Sequence, residues 1–124
     1  MHLVPHERAH RHPIDEHNVC HAIEGIGESS RIETWAARFA VLGEPHRLTV
    51  LLAIHHAAPI AVSDLAIATG INDTGVSQIL RLLRSSGAVR AERDGRIVRY
   101  RLTDPHLAVL LDQMSAASSV PVGA

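Results

Sequence analysis

Lysine is absent from this chain of 124 residues, so all twelve of its permanently charged basic side chains are arginines. Aromatic residues make up only 2% of the chain, and a core must therefore be built from leucine, isoleucine, valine and alanine. The 46% of hydrophobic residues is enough for one domain of this length, but a small aliphatic core is marginal by itself. We therefore expect two copies of the chain to pair.

Cysteine is nearly absent as well, because Cys20 is the only one, which excludes an internal disulfide and is typical of the reducing cytoplasm. No apolar run approaches the length of a membrane span, and no signal peptide is recognisable. The sequence also lacks a phosphate-cradling glycine loop, a Ser/His/Asp pattern and a plausible carboxylate pair, so we predict that the protein is not an enzyme. The net charge of −1 excludes a uniformly basic surface, and a nucleic-acid footprint must be local.

The first 28 residues hold six of the ten histidines, two prolines and scattered charges, without a stable apolar period. This composition predicts a flexible, histidine-rich arm over residues 1–28. Residues 29–117 carry the periodic patterns of a folded domain, and residues 118–124 are predicted to form a disordered tail.

Four helices are predicted in the first part of this domain. Ser30 to Glu33 match a capping box at the start of the first helix, which ends near Gly43. Pro45 is favoured in the first turn of the second helix. Ser63 is predicted to cap a short third helix that stops at Gly70.

The fourth helix is predicted from about Asp73 to Ser86. Val76, Leu80 and Leu83 recur along it at i, i+4 and i+7, which indicates one apolar stripe on an otherwise polar helix.

A hairpin and a last helix complete the domain. Asp94-Gly95 between two strand-like runs is a strong hairpin signal. Asp104 and Pro105 then open a helix that carries leucines and Met114 at helical spacing. The fold class is therefore mainly α with a small β-hairpin (α+β), in the order helix, helix, helix, helix, strand, strand, helix. This is the order of a winged helix-turn-helix, and the apolar faces of the first and last helices are predicted to form a two-fold dimer.

Four stretches of the chain, taken in order, resemble the ArsR/SmtB family of bacterial metal-responsive repressors. The resemblance covers about Glu33 to Met114 and implies a dimeric winged helix-turn-helix repressor that leaves its operator DNA when an inducer binds. The matching stretches are FAVLGEPHRL at 39–48, VSDLA at 62–66, VSQILRLLR at 76–84 and GRIVRYRL at 95–102.

This resemblance directs attention to the fourth helix and the hairpin, where seven of the twelve arginines lie. Two positions depart from the family pattern: Ile79 stands where a polar residue is usual, and Gly75 is a weak helix former in the first turn. The alternative interpretation is that the surface arginines only keep the fold soluble. The DNA-binding candidates are Ser77, Gln78 and Arg81 for base edges, Arg84, Arg96 and Arg99 for phosphates, and Thr74 beside them.

The family's metal positions are only partly kept in this sequence. At the short helix Asp64 is present, but alanine replaces the family's cysteine, and one cysteine cannot form a three-sulfur site. On the last helix Asp104 and His106 match the first half of a metal site, whereas alanine and valine occupy its second half. Asp104 alone would also be explained as a helix N-cap.

The arm offers further metal ligands, because His17, Cys20 and His21 fall within one turn if the segment is helical. Imidazole-rich ligation with little thiolate favours Zn(II), Ni(II) or Co(II). We hypothesise that such an ion ties the arm to Asp104 and His106 and shifts the angle between the recognition helices. Two alternatives stay open: an ArsR-like regulator that responds to a non-metal or redox signal, and a winged-helix protein-interaction module.

Overall fold

The computed structural model describes residues 11–117, and these fall into two compact units, one up to Ala37 and one from Arg38 onward. The predicted order of elements is confirmed, with one additional helix at the start and one additional short strand. The elements are α1 (Glu16–Ile26), α2 (Ser29–Leu42), α3 (Pro45–Ala57), β1 (Ile60–Ala61), α4 (Val62–Thr69), α5 (Asp73–Ser85), β2 (Val89–Asp94), β3 (Ile97–Leu102) and α6 (Pro105–Ala117).

Helix α1 corrects one part of the predicted flexible arm over residues 1–28, because residues 16–26 are helical. Asp15 caps the helix, because its side chain accepts a hydrogen bond from the backbone N–H of Asn18 at 3.2 Å, and Gly27 follows the last turn with φ +70°. None of its residues is buried. The helix has a short apolar stripe, with Val19 and Ile23 partly buried one turn apart, and the Asp15 cap satisfies a backbone N–H of its first turn. Residues 1–10 and the predicted tail 118–124 lie outside the described residues.

The core of the second unit is aliphatic, as the composition requires. The predicted stripe of α5 is confirmed, since Val76, Leu80 and Leu83 are at most 1% exposed. These side chains belong to one cluster that also includes buried residues of α3, α4, β2 and α6. The other members are Val50, Leu51, Ile54, Leu65, Ala88, Val89, Leu107 and Leu111.

The start of α5 explains why glycine occupies position 75. Asn72 caps the helix by accepting a hydrogen bond from the backbone N–H of Gly75 at 2.7 Å. A Cβ at this position would lie 2.8 Å from Cγ2 of Ile71 and 3.2 Å from the capping oxygen of Asn72. Close packing over the cap therefore favours glycine here, despite its low helix propensity.

Two predicted helix caps are corrected. Helix α2 begins at Ser29, so Ser30 lies within it, and the Ser30 carbonyl accepts a hydrogen bond from Thr34 Oγ1 at 2.9 Å. Helix α4 begins at Val62, and Ala61 takes the cap position without a side-chain hydrogen bond. The physical reason in the second case is tertiary: β1 pairs with β3 and passes directly into α4, which moves the helix start ahead of Ser63.

The hairpin closes one residue later than predicted. Asp94 still pairs with Ile97, so the two-residue loop is Gly95-Arg96, with φ +63° at Gly95. Glycine at the first loop position meets the need for a positive φ in a tight hairpin turn. The sheet has the order β1-β3-β2, all antiparallel. No helix within residues 11–117 is both long and apolar enough to cross a membrane.

Removing the cap of α5 should destabilise the fold without changing its core. We expect Asn72→Ala to lower the free energy of unfolding by about 1 kcal/mol, because the backbone N–H of Gly75 loses its acceptor. Urea unfolding measures the change, and Asn72→Ser, which keeps a capping oxygen, is the matched control. An alanine variant as stable as the parent would contradict this account of the cap.

The cap of α3 should make stability depend on acid pH. Glu44 accepts hydrogen bonds from the backbone N–H groups of Arg47 at 2.8 Å and His46 at 3.1 Å, and these lower its pKa from 4.5 to about 2. A carboxyl group with a lowered folded-state pKa stabilises the fold fully above its unfolded-state pKa and loses that contribution as the pH falls through the folded-state pKa. We expect the stability difference between the parent and Glu44→Gln to shrink between about pH 4.5 and about pH 2 in urea unfolding series. A difference that stays constant across this range would refute the assignment.

Candidate nucleic-acid interface

Helix α5 turns one face into the core and leaves a polar edge exposed. Ile79, which stands where the family usually has a polar residue, is partly buried and packs against the core, so it does not interrupt the polar surface. The exposed residues include all five DNA-binding candidates of this helix, namely Thr74, Ser77, Gln78, Arg81 and Arg84.

The arginines of the interface differ in whether a carboxylate neutralises them. Arg99 lies 2.8 Å from Asp94, and Glu92 accepts hydrogen bonds from both Arg90 and Arg101. Over residues 73–102, seven arginines against three acidic residues leave a net charge of +4. Within residues 11–117, the arginines that make no ion pair in this segment are Arg81, Arg84, Arg93 and Arg96.

The strand register divides the hairpin into two faces. Glu92 pairs with Arg99, and Ala91 pairs with Tyr100, so alternation places Arg99 and Tyr100 on opposite faces of the ribbon. Tyr100 and Arg93 share the face that carries Val89 and Leu102, which pack into the core. Tyr100 and Arg93 were missed in the sequence analysis, although the alternation with Val98 and Leu102 could have placed them on this face.

A hollow of about 540 Å³ lies between α5 and the hairpin. We name it the arginine hollow, and it is lined by Ser77, Arg81, Arg84, Ser85 and Tyr100. It joins two predicted DNA-binding arginines of the helix to the inner face of the hairpin. A second hollow of about 380 Å³ lies beside Gln78 and Leu82, and its lining residues include Glu44.

The metal-binding candidates form partial sets. On α1, the rings of His17 and His21 are 6.0 Å apart between centroids, one helical turn apart, and Cys20 is half-buried. Asp64 is exposed in the first turn of α4. Within residues 11–117, no three His, Cys, Asp or Glu side chains come together closely enough to hold a metal ion. The described part of one protomer therefore does not contain a complete metal site.

Asp104 already has structural partners. Its carboxylate accepts a hydrogen bond from Nε of Arg38 at 2.8 Å and another from the backbone N–H of His106 at 2.9 Å, at the start of α6. Partial burial acts to raise the pKa of Asp104, but these hydrogen bonds outweigh it and hold the pKa below its ordinary value. A metal ion bound by Asp104 would have to compete with Arg38.

The paired helices α4 and α5, the hairpin beside them and the exposed polar edge define a winged helix-turn-helix regulator. The sequence comparisons then identify the family. The chain is 36% identical to the transcriptional regulator NmtR of Mycobacterium tuberculosis over 99 residues, which cover 75% of this chain and 82% of NmtR. It is 31% identical to the transcriptional repressor SmtB of the same organism over 109 residues, which cover 87% of this chain and 80% of SmtB. The chain belongs to the ArsR/SmtB family of transcriptional regulators, which are not enzymes.

The solved structures agree with this assignment. A homodimeric winged helix-turn-helix DNA-binding domain from Mycobacterium bovis, described as a possible ArsR-family regulator, superposes with a TM-score of 0.62. It is 29% identical in sequence, and the match covers 74% of this chain and 88% of that one. A search against family models gives no match.

Proposed function

We propose that the protein is a dimeric, cytoplasmic repressor that binds double-stranded operator DNA and whose affinity for that DNA is modulated by a divalent transition metal. The observation that carries the proposal is the exposed edge of α5, which presents polar side chains and two arginines that make no ion pair within residues 11–117, beside a hairpin with Arg96 at its tip. A helix of thirteen residues is about 20 Å long and fits a DNA major groove, which admits one α-helix.

The geometry of α5 suits some of its side chains to contacts with bases and others to contacts with phosphates. Its apolar stripe is buried, so rotation about the helix axis is restricted and the same edge is always presented. Gln78 on that edge has a donor and an acceptor that read base edges, and Ser77 and Arg81 have groups that bind either a base edge or a phosphate. Arg84 and Arg96, which make no ion pair within the described part of the chain, suit phosphates, whereas Arg99 is already paired with Asp94.

Dimerisation is supported by apolar side chains that the single protomer leaves accessible. On α2, Ile32 is 45% exposed and Phe39 is 55% exposed, and on α6, Val109 is 56% exposed and Met114 is 44% exposed. Two helices with exposed apolar side chains are typical of an interface between copies. The Mycobacterium bovis relative is homodimeric, and a two-fold dimer would present two recognition helices to successive major grooves.

The metal response is proposed from the two partial ligand sets, His17, Cys20 and His21 on α1, and Asp104 and His106 at the start of α6. Imidazoles with one thiolate and one carboxylate suit Zn(II), Ni(II) or Co(II) better than softer thiolate-seeking ions. Since neither set is complete by itself, further donors are required, and Asp64 stays a candidate. A bound ion alters operator affinity only if it binds the two conformations unequally.

Affinity for the operator should fall steeply as the salt concentration rises. A variant that loses a phosphate contact of the hairpin should show a smaller dependence on salt. We expect Arg96→Gln to reduce the slope of log affinity against log salt by about 1, because one phosphate contact is lost. Arg90→Gln is the matched control, since it removes the same charge from an arginine that already pairs with Glu92. Fluorescence anisotropy with the upstream DNA of the gene measures both variants.

A salt-insensitive affinity for a protein partner, without affinity for the duplex, would show instead that the domain is a protein-interaction module.

Added metal should weaken operator binding of the parent protein by about tenfold, within the usual 1–3 kcal/mol of allosteric coupling. We expect a combined His17→Ala, Cys20→Ser and His21→Ala variant to lose this response to Zn(II), Ni(II) and Co(II). His106→Ala tests the α6 set without disturbing the ion pair between Asp104 and Arg38.

His46→Ala serves as the control, because His46 is an exposed histidine outside both sets. If the combined variant responds to metal like the parent, the α1 set does not bind the regulatory ion.

A further inference from the structure

We propose that the arginine hollow is a seat for a single oxyanion, and that its occupant is one backbone phosphate of bound duplex DNA. The inference rests on the proposed function and assigns a role to Tyr100, which lies in the wing rather than on the recognition helix. The proposed ligands are the guanidinium groups of Arg81 and Arg84 and the hydroxyl groups of Ser77 and Tyr100, four residues that line the hollow.

The charge of the hollow favours an anion. Arg81 and Arg84 stand three residues apart on α5, so their side chains emerge from the same side of the helix. Both are exposed, and neither makes an ion pair within residues 11–117. No carboxylate is among the residues that line this hollow, whereas the neighbouring hollow contains Glu44. Two unpaired guanidinium groups match the oxygens of a phosphate.

Tyr100 provides a fixed hydrogen-bond donor on the opposite wall. Its ring is half-buried and packs against the core, and its backbone is held between Ile60 on one side and Ala91 on the other. Within the described residues 11–117 its hydroxyl has no hydrogen-bond partner, and the oxygen is not buried. A donor held by a packed ring loses little conformational entropy when it binds a ligand.

The two serines of the hollow differ in what they can donate. The hydroxyl of Ser85 already donates to the carbonyl of Leu82 at 2.9 Å. Ser77 makes no such hydrogen bond within the described part of the chain, so its hydroxyl is available. This leaves two guanidinium groups and two hydroxyls for the anion and makes Ser85 a natural control.

The size of the hollow favours a phosphate that belongs to a larger molecule. At about 540 Å³ it is much roomier than one phosphate group needs, and a free anion inside would stay largely hydrated. A phosphate within a duplex is instead held in place by the contacts that α5 makes with the rest of the DNA. The hollow lies between the helix proposed to enter the major groove and the wing beside it, where a DNA backbone would pass.

The test measures the affinity of full-length protein for operator and scrambled duplexes by fluorescence anisotropy over a salt series. We expect Tyr100→Phe to weaken binding to both duplexes by about tenfold, because the neutral Tyr100 hydroxyl can no longer donate a hydrogen bond to the charged phosphate. The slope of log affinity against log salt concentration should be the same for Tyr100→Phe as for the parent, since no charge is removed. Arg84→Gln should weaken both duplexes and reduce the slope by about 1. Ser85→Ala should bind like the parent, and thermal unfolding should show Tyr100→Phe to be as stable as the parent.

Three outcomes overturn the inference in distinguishable ways. If the parent selects its operator but Tyr100→Phe binds as tightly, the hollow is not a phosphate seat and the proposed function survives. If inorganic phosphate at millimolar concentration perturbs Arg84 and Tyr100 in NMR spectra and Tyr100→Phe binds DNA like the parent, the hollow is a free-anion site. If the parent shows no salt-dependent affinity for any duplex, the proposed function fails and this inference fails with it.

Discussion

The burial of one apolar stripe of α5 sets which of its side chains can contact DNA. Val76, Leu80 and Leu83 are almost fully buried in a cluster shared with α3, α4 and α6. Because these contacts restrict rotation of α5 about its axis, they determine which side chains remain outside. The polar edge proposed to read DNA is therefore a consequence of core packing, and any change that rotates this helix would move every proposed contact at once.

The same packing explains two residues that seemed unfavourable for a recognition helix. Ile79 is partly buried against the core, so it does not replace a polar side chain on the exposed edge. Gly75 lies over the Asn72 cap, where a Cβ would come within 2.8 Å of Ile71. The cost of a weak helix former in the first turn is about 1 kcal/mol. Both departures from the family pattern therefore have local structural reasons and are not evidence against DNA binding.

Electrostatics separates the arginines that composition alone treats as equivalent. Arg90, Arg99 and Arg101 are held by carboxylates of the same hairpin, which both orients them and neutralises part of their charge. The arginines of α5 have no such partners within the described residues. An exposed ion pair contributes little to stability, so Asp94 does not lock Arg99 in place. It does, however, add a competing charge that a phosphate would have to displace.

The order of the elements, the buried stripe of α5 and the presence of the hairpin could all be predicted from the sequence, because each depends on local periodicity or on turn residues close in the chain. Helix α1 was not predicted, because its apolar stripe is short, with Val19 and Ile23 one turn apart, and its first turn is capped by Asp15. Two features emerge only from the folded chain: Asp104 is held by Arg38, and Tyr100 and Arg84 line one hollow. These features depend on strand register and on contacts between residues far apart in the chain, which no local pattern encodes.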